Sequence, residues 1–243
     1  MWNKIKRLIR ARIVKRWGIP ASKRRVWDTE FASGQWNYLE HTEGDPIYAY
    51  LEKYLERGNI LDLGCGSGNT GNELDYSSYQ SYTGADVSEV AIRKAELRTR
   101  KNKREAKNEY VCCDIESFVP STPYTVILFR ESIFYIPVTK IKAILDRYAG
   151  YLRPDGVFVV RMCDREKYHS IVELIIRHYL VLERRLVENA LDIIIVFKPF
   201  KLNEETSLSA GHEITFRVDE GKATGSFSAF CQNLPTLVMP ANW

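Results

Sequence analysis

The sequence has few cysteines, and their arrangement excludes two kinds of small-protein scaffold. Five cysteines occur among 243 residues; the number is odd and no Cys-x-x-Cys pair is present. Neither a disulfide framework nor a zinc site is therefore expected, and no other metal site is predicted. Free thiols in a reducing compartment are the simplest interpretation of this cysteine content.

Long apolar runs are also missing. No stretch of about 18 apolar residues occurs, so a transmembrane helix is not expected. The first residues are charged throughout and lack the apolar centre of a secretory signal, which favours a cytoplasmic location. With 45% hydrophobic and 27% charged residues, the composition is that of a globular protein and excludes a disordered chain or a coiled coil.

Acidic residues are absent from the first 27 positions. The formal net charge of +4 hides this asymmetry, because the remaining residues carry 25 basic and 31 acidic side chains. The ten basic residues of the N-terminal stretch are Lys4, Lys6, Arg7, Arg10, Arg12, Lys15, Arg16, Lys23, Arg24 and Arg25. We therefore divide the chain into a basic arm, residues 1–25, and a mildly acidic body.

The arm has the pattern of an amphipathic helix over residues 2–17. At about 100° per residue, one side of that helix carries Trp2, Ile5, Ile9, Ile13 and Trp17. Arg12 and Arg16 fall in the same arc, where their long stems can snorkel at a membrane surface. Tryptophan and basic residues together favour a peripheral helix on an anionic membrane, on its inner face. RNA or another polyanion, and a solvated or partner-bound helix, remain alternatives.

Beyond the arm, short apolar runs alternate with helical patterns. Strands are predicted at residues 59–63, 80–86, 109–113, 126–129 and 157–161, and helices at residues 44–57, 88–101, 138–152 and 165–178. Ser88 is the predicted cap of its helix, and residues 153–156 read as a turn. This alternation predicts an α/β protein with a doubly wound, mostly parallel sheet.

The rhythm changes near the C-terminus. Residues 180–187 and 191–198 are two strands joined by so few residues that they must be antiparallel. The sheet should therefore contain a reversed strand near its edge. Residues 199–243 form a C-terminal extension, in which residues 212–218 and 225–230 have the pattern of a hairpin.

The most specific pattern is a glycine-rich loop that follows the first strand, from Ile60 to Gly71. Its glycines allow a ligand to approach the backbone and expose amide groups. Gly66, Gly68 and Gly71 match Gly-x-Gly-x-x-Gly, which alone would suggest an NAD(P)-binding oxidoreductase. Asp62, however, lies at the end of the strand. A carboxylate there does not stabilise a bound pyrophosphate, whereas it does stabilise a cationic ligand.

The loop resembles the first motif of the class I S-adenosylmethionine (SAM)-dependent methyltransferases, matched by Asp62, Gly64, Gly66 and Gly68. In that family an acid after the second strand binds the ribose, which corresponds to Asp86, followed by Val87. An acid after the third strand faces the adenine, which corresponds to Asp114, with Ile115 beside the ring. The resemblance covers about residues 40–198. It implies a seven-stranded Rossmann-like sheet, SAM as cofactor and S-adenosylhomocysteine (SAH) as product.

Candidate catalytic residues follow the fourth and fifth strands, where ligands of such folds bind. Glu131 and Tyr135 resemble the Glu-x-x-x-Tyr pattern of bacterial methyltransferases that act on small molecules and sugars. A hydroxyl acceptor needs a general base, for which Glu131 and His169 are the candidates and His41 a third. Arg130 would contact the carboxylate of the donor or form a salt bridge.

Residues 26–43 resemble the segment that folds over the donor in this family, with Trp27-Asp28 and Gly34-x-Trp36-x-Tyr38. The methyltransferase domain is then residues 26–198. The family's Asn/Asp-Pro-Pro-aromatic motif for nucleic acid bases is absent. The resemblance thus implies an enzyme that methylates a hydroxyl or amine of a small molecule, a sugar or a lipid-linked glycan. An RNA methyltransferase, an oxidoreductase and an inactive binding module are the alternatives.

Overall fold

The structure is a computed structural model and describes residues 2–186, 191–200 and 217–218. The predicted hairpin of the C-terminal extension lies outside these residues, apart from Arg217 and Val218. The helices are α1 (Trp2–Trp17), α2 (Pro20–Ala32), α3 (Ile47–Leu55), α4 (Asn69–Glu73), α5 (Glu89–Lys101), α6 (Val138–Ala149) and α7 (His169–His178). The strands are β1 (Asn59–Leu63), β2 (Ser81–Asp86), β3 (Asn108–Cys112), β4 (Tyr124–Arg130), β5 (Leu152–Met162), β6 (Leu180–Leu186), β7 (Ile193–Lys198) and β8 (Arg217–Val218).

The strands form one mixed sheet in the order β3-β2-β1-β4-β5-β7-β6-β8. All neighbouring pairs among β1 to β5 are parallel, whereas β7 is antiparallel to both β5 and β6. The prediction of a doubly wound sheet of seven strands, with one reversed near the edge, is confirmed. The two-residue β8 pairs in parallel with β6 and adds an eighth strand at that edge.

The turn predicted at residues 153–156 is instead a bulge within β5. Tyr124 pairs with Leu152 and Val126 pairs with Val157, so two steps along β4 correspond to five along β5. A Cβ on Gly156 would lie 2.9 Å from the carbonyl oxygen of Tyr124, which explains why glycine is suited to this position. Residues 153–156, which have a turn-like sequence, therefore form a bulge in β5, and β4 and β5 are paired on both sides of it.

Hydrophobic side chains cover both faces of the sheet. One core contains Leu61, Phe129 and Phe158, and the other contains Ile60, Leu128 and Val159, in keeping with the alternation of side chains along each strand. The central strands are consequently buried on both faces, and their carboxyl ends lie together at one edge of the sheet. None of the described helices is apolar and long enough to cross a bilayer.

Asp28 connects helix α2 to the start of α5. It follows Trp27 in residues 26–43, the segment predicted to fold over the donor, which we call the covering segment. Asp28 Oδ1 accepts hydrogen bonds from the Ser88 hydroxyl at 2.7 Å and from the backbone N–H of Val90 at 3.1 Å. Ser88 in turn accepts a hydrogen bond from the N–H of Ala91, which confirms its predicted role as the cap of α5. These bonds place α2 beside the loop that follows β2.

Candidate active site

A cavity of about 160 Å³ opens at the carboxyl ends of β1, β2 and β4, beneath α1 and α2. Most residues that the sequence singled out line it, namely Asp62, Gly64, Gly66, Asp86, Val87, Asp114, Ile115, Arg130 and Glu131. The topology brings them together because parallel strands end at the same edge of the sheet. Gly68 and His169 are not among the lining residues.

The glycine loop depends on backbone conformations that favour glycine. Gly64 and Gly68 have φ angles of +83° and +75°. A Cβ on Gly64 would lie 2.5 Å from Ser132 Cβ, and one on Gly68 would lie 2.7 Å from Ala95 Cβ. Gly68 therefore packs against α5 and does not line the cavity. It immediately precedes the first residue of α4.

Asp62 presents an unused carboxylate oxygen at this edge. Its Oδ2 accepts a hydrogen bond from the Tyr82 hydroxyl at 2.8 Å, whereas its Oδ1 is buried and has no hydrogen-bond partner in the described part of the chain. Burial raises the pKa of Asp62 to about 6. A buried carboxylate oxygen without a partner is costly, so this atom is suited to a ligand that carries a cation or a donor group.

Asp86 is held by the backbone on both of its oxygens. Oδ2 accepts from the N–H of Gly66 at 3.0 Å, and Oδ1 accepts from the N–H of Ser88 at 2.8 Å. Burial raises its pKa to about 6, against the effect of these two hydrogen bonds. Each oxygen keeps a further lone pair, so the fixed carboxylate can accept two more hydrogen bonds from a ligand.

Asp114 already has a cationic partner, which the sequence did not suggest. Lys23 of α2 places its Nζ 3.0 Å from Asp114 Oδ2 and 2.8 Å from Glu116 Oε1. The backbone N–H of Glu116 donates to Asp114 Oδ1 at 2.8 Å. Lys23 thus occupies the edge of the cavity at which the resemblance places the adenine amino group.

Arg130 and Glu131 belong to a buried network of charges. Arg130 pairs with Asp45 at 2.6 Å, so the salt-bridge interpretation of Arg130 holds while its side chain still lines the cavity. Glu131 pairs with Arg161, and its Oε2 accepts from the N–H of Cys163 at 3.1 Å. Burial raises the pKa of Glu131 despite the neighbouring guanidinium. Glu131 also adopts a φ of +55°, a strained conformation for a residue with a side chain.

The structure does not bring the two histidine candidates into the cavity. His169 is the first residue of α7 and is exposed, with its Nδ1 2.9 Å from the carbonyl oxygen of Glu166. His41 is also exposed and lies outside the lining. The loop after β5 turns so that Tyr168, rather than His169, faces inward and stacks on Phe134 with ring centroids 4.3 Å apart.

The basic arm contributes directly to the site, which the sequence reasoning missed. Lys15 of α1 and Lys23 of α2 line the cavity, together with Trp27, Phe31 and Trp36 of the covering segment. The division at residue 25 therefore separates side chains that share one cavity. The available signal was the position of Lys15 on α1, opposite the apolar stripe, so that it faces the protein when the stripe faces outward.

Comparison with known proteins gives the enzyme class. Residues 60–156 match the family model described as a methyltransferase domain. This range contains the glycine loop, Asp86, Asp114 and the end of β4. No curated protein matches the sequence.

Solved structures agree on the fold. The 1,6-didemethyltoxoflavin-N1-methyltransferase of Burkholderia thailandensis is 16% identical, with 73% of this chain and 87% of that chain covered and a TM-score of 0.61. N-methyltransferase NodS from Bradyrhizobium japonicum is 17% identical, with 73% and 98% covered and a TM-score of 0.58. Magnesium protoporphyrin IX methyltransferase from Synechocystis is 12% identical, with 74% and 96% covered and a TM-score of 0.58.

The matched domain over residues 60–156 and the fold support a class I SAM-dependent methyltransferase. Its cofactor is SAM, and the cavity fits that molecule on two observations. The partnerless Asp62 Oδ1 suits a ligand ammonium, and the fixed carboxylate of Asp86 keeps lone pairs that suit ligand hydroxyls. When bound, SAM supplies a methyl group that its sulfonium has already activated.

Proposed function

We propose that this enzyme methylates a hydroxyl or amine of a small molecule, a sugar or a lipid-linked glycan. The observation that carries the proposal is the roof of the cavity. Trp27, Trp36 and Tyr135 line it, and the Trp27 and Tyr135 rings meet edge to face at 4.8 Å. A cavity of about 160 Å³ beneath these aromatic rings accommodates a small group and not a folded macromolecule.

Three carboxylates would each contact a different part of the donor SAM. Asp62 Oδ1 would accept from the amino group of SAM, and Asp86 would accept from the two ribose hydroxyls. Asp114, with Ile115 beside it, would face the adenine. This requires Lys23 to leave Asp114 and keep its salt bridge with Glu116. These roles rest on the position of each side chain in the cavity and on the resemblance described above.

For the acceptor, positioning is the main requirement, because the methyl group is already activated. Of the three candidate bases, Glu131 is the one that lines the cavity, and its raised pKa suits a group that receives a proton. Its salt bridge with Arg161 fixes the carboxylate in place. An amine acceptor would need no such base if it arrives uncharged.

Transfer of labelled methyl groups into cell extract tests the acceptor class. The enzyme is incubated with methyl-labelled SAM and an extract of the cells that produce it, and the extract is then separated into small molecules, lipids, RNA and protein. We expect label in the small-molecule or lipid fraction. Label confined to RNA would contradict the proposal and favour the RNA alternative suggested by the basic arm.

We further propose that the arm holds the enzyme on an anionic membrane surface. Ile9, Ile13 and Trp17 are spaced four residues apart on α1 and are 40%, 57% and 62% exposed, and Ile19 beyond them is 71% exposed. Lys6, Arg10 and Arg12 are exposed on the same helix. An exposed apolar stripe flanked by basic residues fits the interface of an anionic bilayer.

Sedimentation with vesicles tests this second proposal. We expect the protein to bind phosphatidylglycerol vesicles, less so at high salt, and to lose at least about tenfold in affinity in the double variant Ile13→Ser/Trp17→Ser, since burying each side chain contributes about 1.5–3 kcal/mol. The matched control is Leu97→Ser/Val119→Ser, two side chains that are 60% and 68% exposed elsewhere. Equal binding by both variants would contradict the proposal. Deleting the arm is a poorer test, because it also removes Lys15 from the cavity.

A further inference from the structure

Lys15 lies against the three aromatic rings that roof the cavity, and the proposed reaction gives its amine no role. Its side chain is only 10% exposed, and its Nζ lies 3.8 Å from the centroid of the Trp27 ring, 5.4 Å from that of Trp36 and 5.8 Å from that of Tyr135. Glu30 Oε2 lies 2.6 Å away and also accepts from Trp36 Nε1 at 3.0 Å. Three aromatic rings and one carboxylate thus enclose a primary amine.

This enclosure adjoins the donor site. Phe31 packs between the two, since its Cζ lies 3.5 Å from the position of a Cβ on Gly66 and its ring centroid lies 6.2 Å from that of Trp27. Lys15 lines the same cavity as Asp62 and Asp86. The amine therefore lines the cavity that receives the donor, on the other side of the Phe31 ring from Gly66.

From this geometry we propose that Lys15 is a methylation site of the enzyme itself. The proposal rests on the methyl-transfer activity described above. The Lys15 ammonium first gives a proton to Glu30, which passes it to solvent. The lone pair of Nζ then forms a bond with the methyl carbon, while the bond between sulfur and that carbon breaks and its electron pair stays on sulfur. The products are N-methyl-lysine, SAH and one released proton.

The cavity is lined by a second lysine, Lys23, and a comparison of the two shows why Lys15 is the better nucleophile. Burial lowers the pKa of Lys15, and the ion pair with Glu30 does not restore it. Burial would also lower the pKa of Lys23, but its hydrogen bonds with Glu116 and Asp114 outweigh that effect and leave its pKa raised. Lys23 thus keeps its proton between two carboxylates, whereas Lys15 can lose its proton and act as a nucleophile. The aromatic rings around Lys15 would also stabilise the methylated ammonium.

Peptide mapping after incubation with methyl-deuterated SAM tests the proposal. We expect the label on Lys15 and none on Lys23, with a first-order rate that does not depend on protein concentration because Lys15 lies in its own cavity. The label should be lost in Lys15→Arg and retained in the control Lys142→Arg, an exposed lysine on α6. A rate that rises with protein concentration, or label on Lys23 in place of Lys15, would overturn the proposal.

A second measurement needs no methyl transfer. Trace acetylation of the full-length protein across a range of pH reports the pKa and reactivity of each lysine. Lys15 should titrate below its ordinary pKa of 10.5 and below Lys23, and its reactivity should change when SAH is added. If calorimetry shows that SAH binds, but Lys15 stays unlabelled and its reactivity does not change with SAH, the proposal for Lys15 is wrong while the proposed function stands. If SAH does not bind, the assignment of the donor site fails as well.

Discussion

Asp86→Asn should weaken SAH binding by about 100-fold without unfolding the protein. The carboxylate of Asp86 is fixed by the N–H groups of Gly66 and Ser88, which leaves its remaining lone pairs for the proposed hydrogen bonds from the ribose hydroxyls. An amide of the same size keeps one acceptor oxygen, but its NH₂ group must face a backbone N–H donor or a ribose hydroxyl. The loss of one charge-assisted hydrogen bond and the weakening of another cost about 3 kcal/mol, which corresponds to about two orders of magnitude in affinity.

Isothermal titration calorimetry with SAH gives the affinity of Asp86→Asn, and thermal melting verifies that the variant is folded. The matched control is Glu89→Gln, which removes a carboxylate three residues along the chain at the exposed start of α5. This control should bind SAH as the unmodified protein does. A folded Asp86→Asn variant that binds SAH within threefold of the unmodified protein would refute the ribose role of Asp86.

Arg161→Met should cost about 3–5 kcal/mol in the free energy of unfolding. Arg161 is 3% exposed and reaches three carboxylates, with Nε 3.3 Å from Asp45, Nη2 2.9 Å from Asp192, and Nη1 paired with Glu131. Methionine fills most of the volume, but among the described residues the one guanidinium left on these carboxylates is that of Arg130, on Asp45. Breaking a buried ion pair from one side leaves an uncompensated charge, which is the source of the expected loss.

The loss in Arg161→Met should also depend on pH. Burial raises the pKa of Glu131 and of Asp192 even beside Arg161, and removal of the guanidinium raises both further. A carboxyl whose pKa is higher in the folded state takes up its proton there first, so stability recovers as the pH falls through that value. The loss should therefore be smaller at about pH 5 than at about pH 8.

Urea denaturation at both pH values measures the effect. The control is Arg177→Met on α7, an exposed arginine whose replacement should cost less than about 0.5 kcal/mol at either pH. Equal losses for the two variants, or a loss in Arg161→Met that grows toward low pH, would contradict this account of the network.

The sheet and the donor loop were accessible from sequence because their signals are local. The apolar runs of β1 and β4, and the glycines and acid between Asp62 and Gly68, occupy short segments whose type follows from composition and spacing. The antiparallel position of β7 was predictable for the same reason, since a link of a few residues admits no other arrangement. The prediction at residues 153–156 was wrong because the same residues serve a turn and a bulge, and only the pairing of β4 with β5 decides between them.

The partners of the charged side chains could not be predicted in the same way. Arg161 lies at the end of an apolar strand, and nothing near it in sequence indicates that Asp45, Glu131 and Asp192 surround it. His169 was predicted as a base because it follows β5, but one position along the start of α7 decides whether a side chain packs against the core or faces solvent. In the structure the inward position belongs to Tyr168.

The sequence by itself determined the α/β fold and the cofactor class, because the alternation of strands and helices and the glycine loop are local patterns. The donor roles of Asp62, Asp86 and Asp114 stay predictions. The tertiary structure alone decided the role of the basic arm. Its charge suggested an external helix, yet its packing places Lys15 and Lys23 inside the cavity, beside Glu30 and Asp114. The physical reason is that a helix has two faces: the exposed stripe can be read from spacing, whereas what the opposite face touches depends on how the whole chain packs.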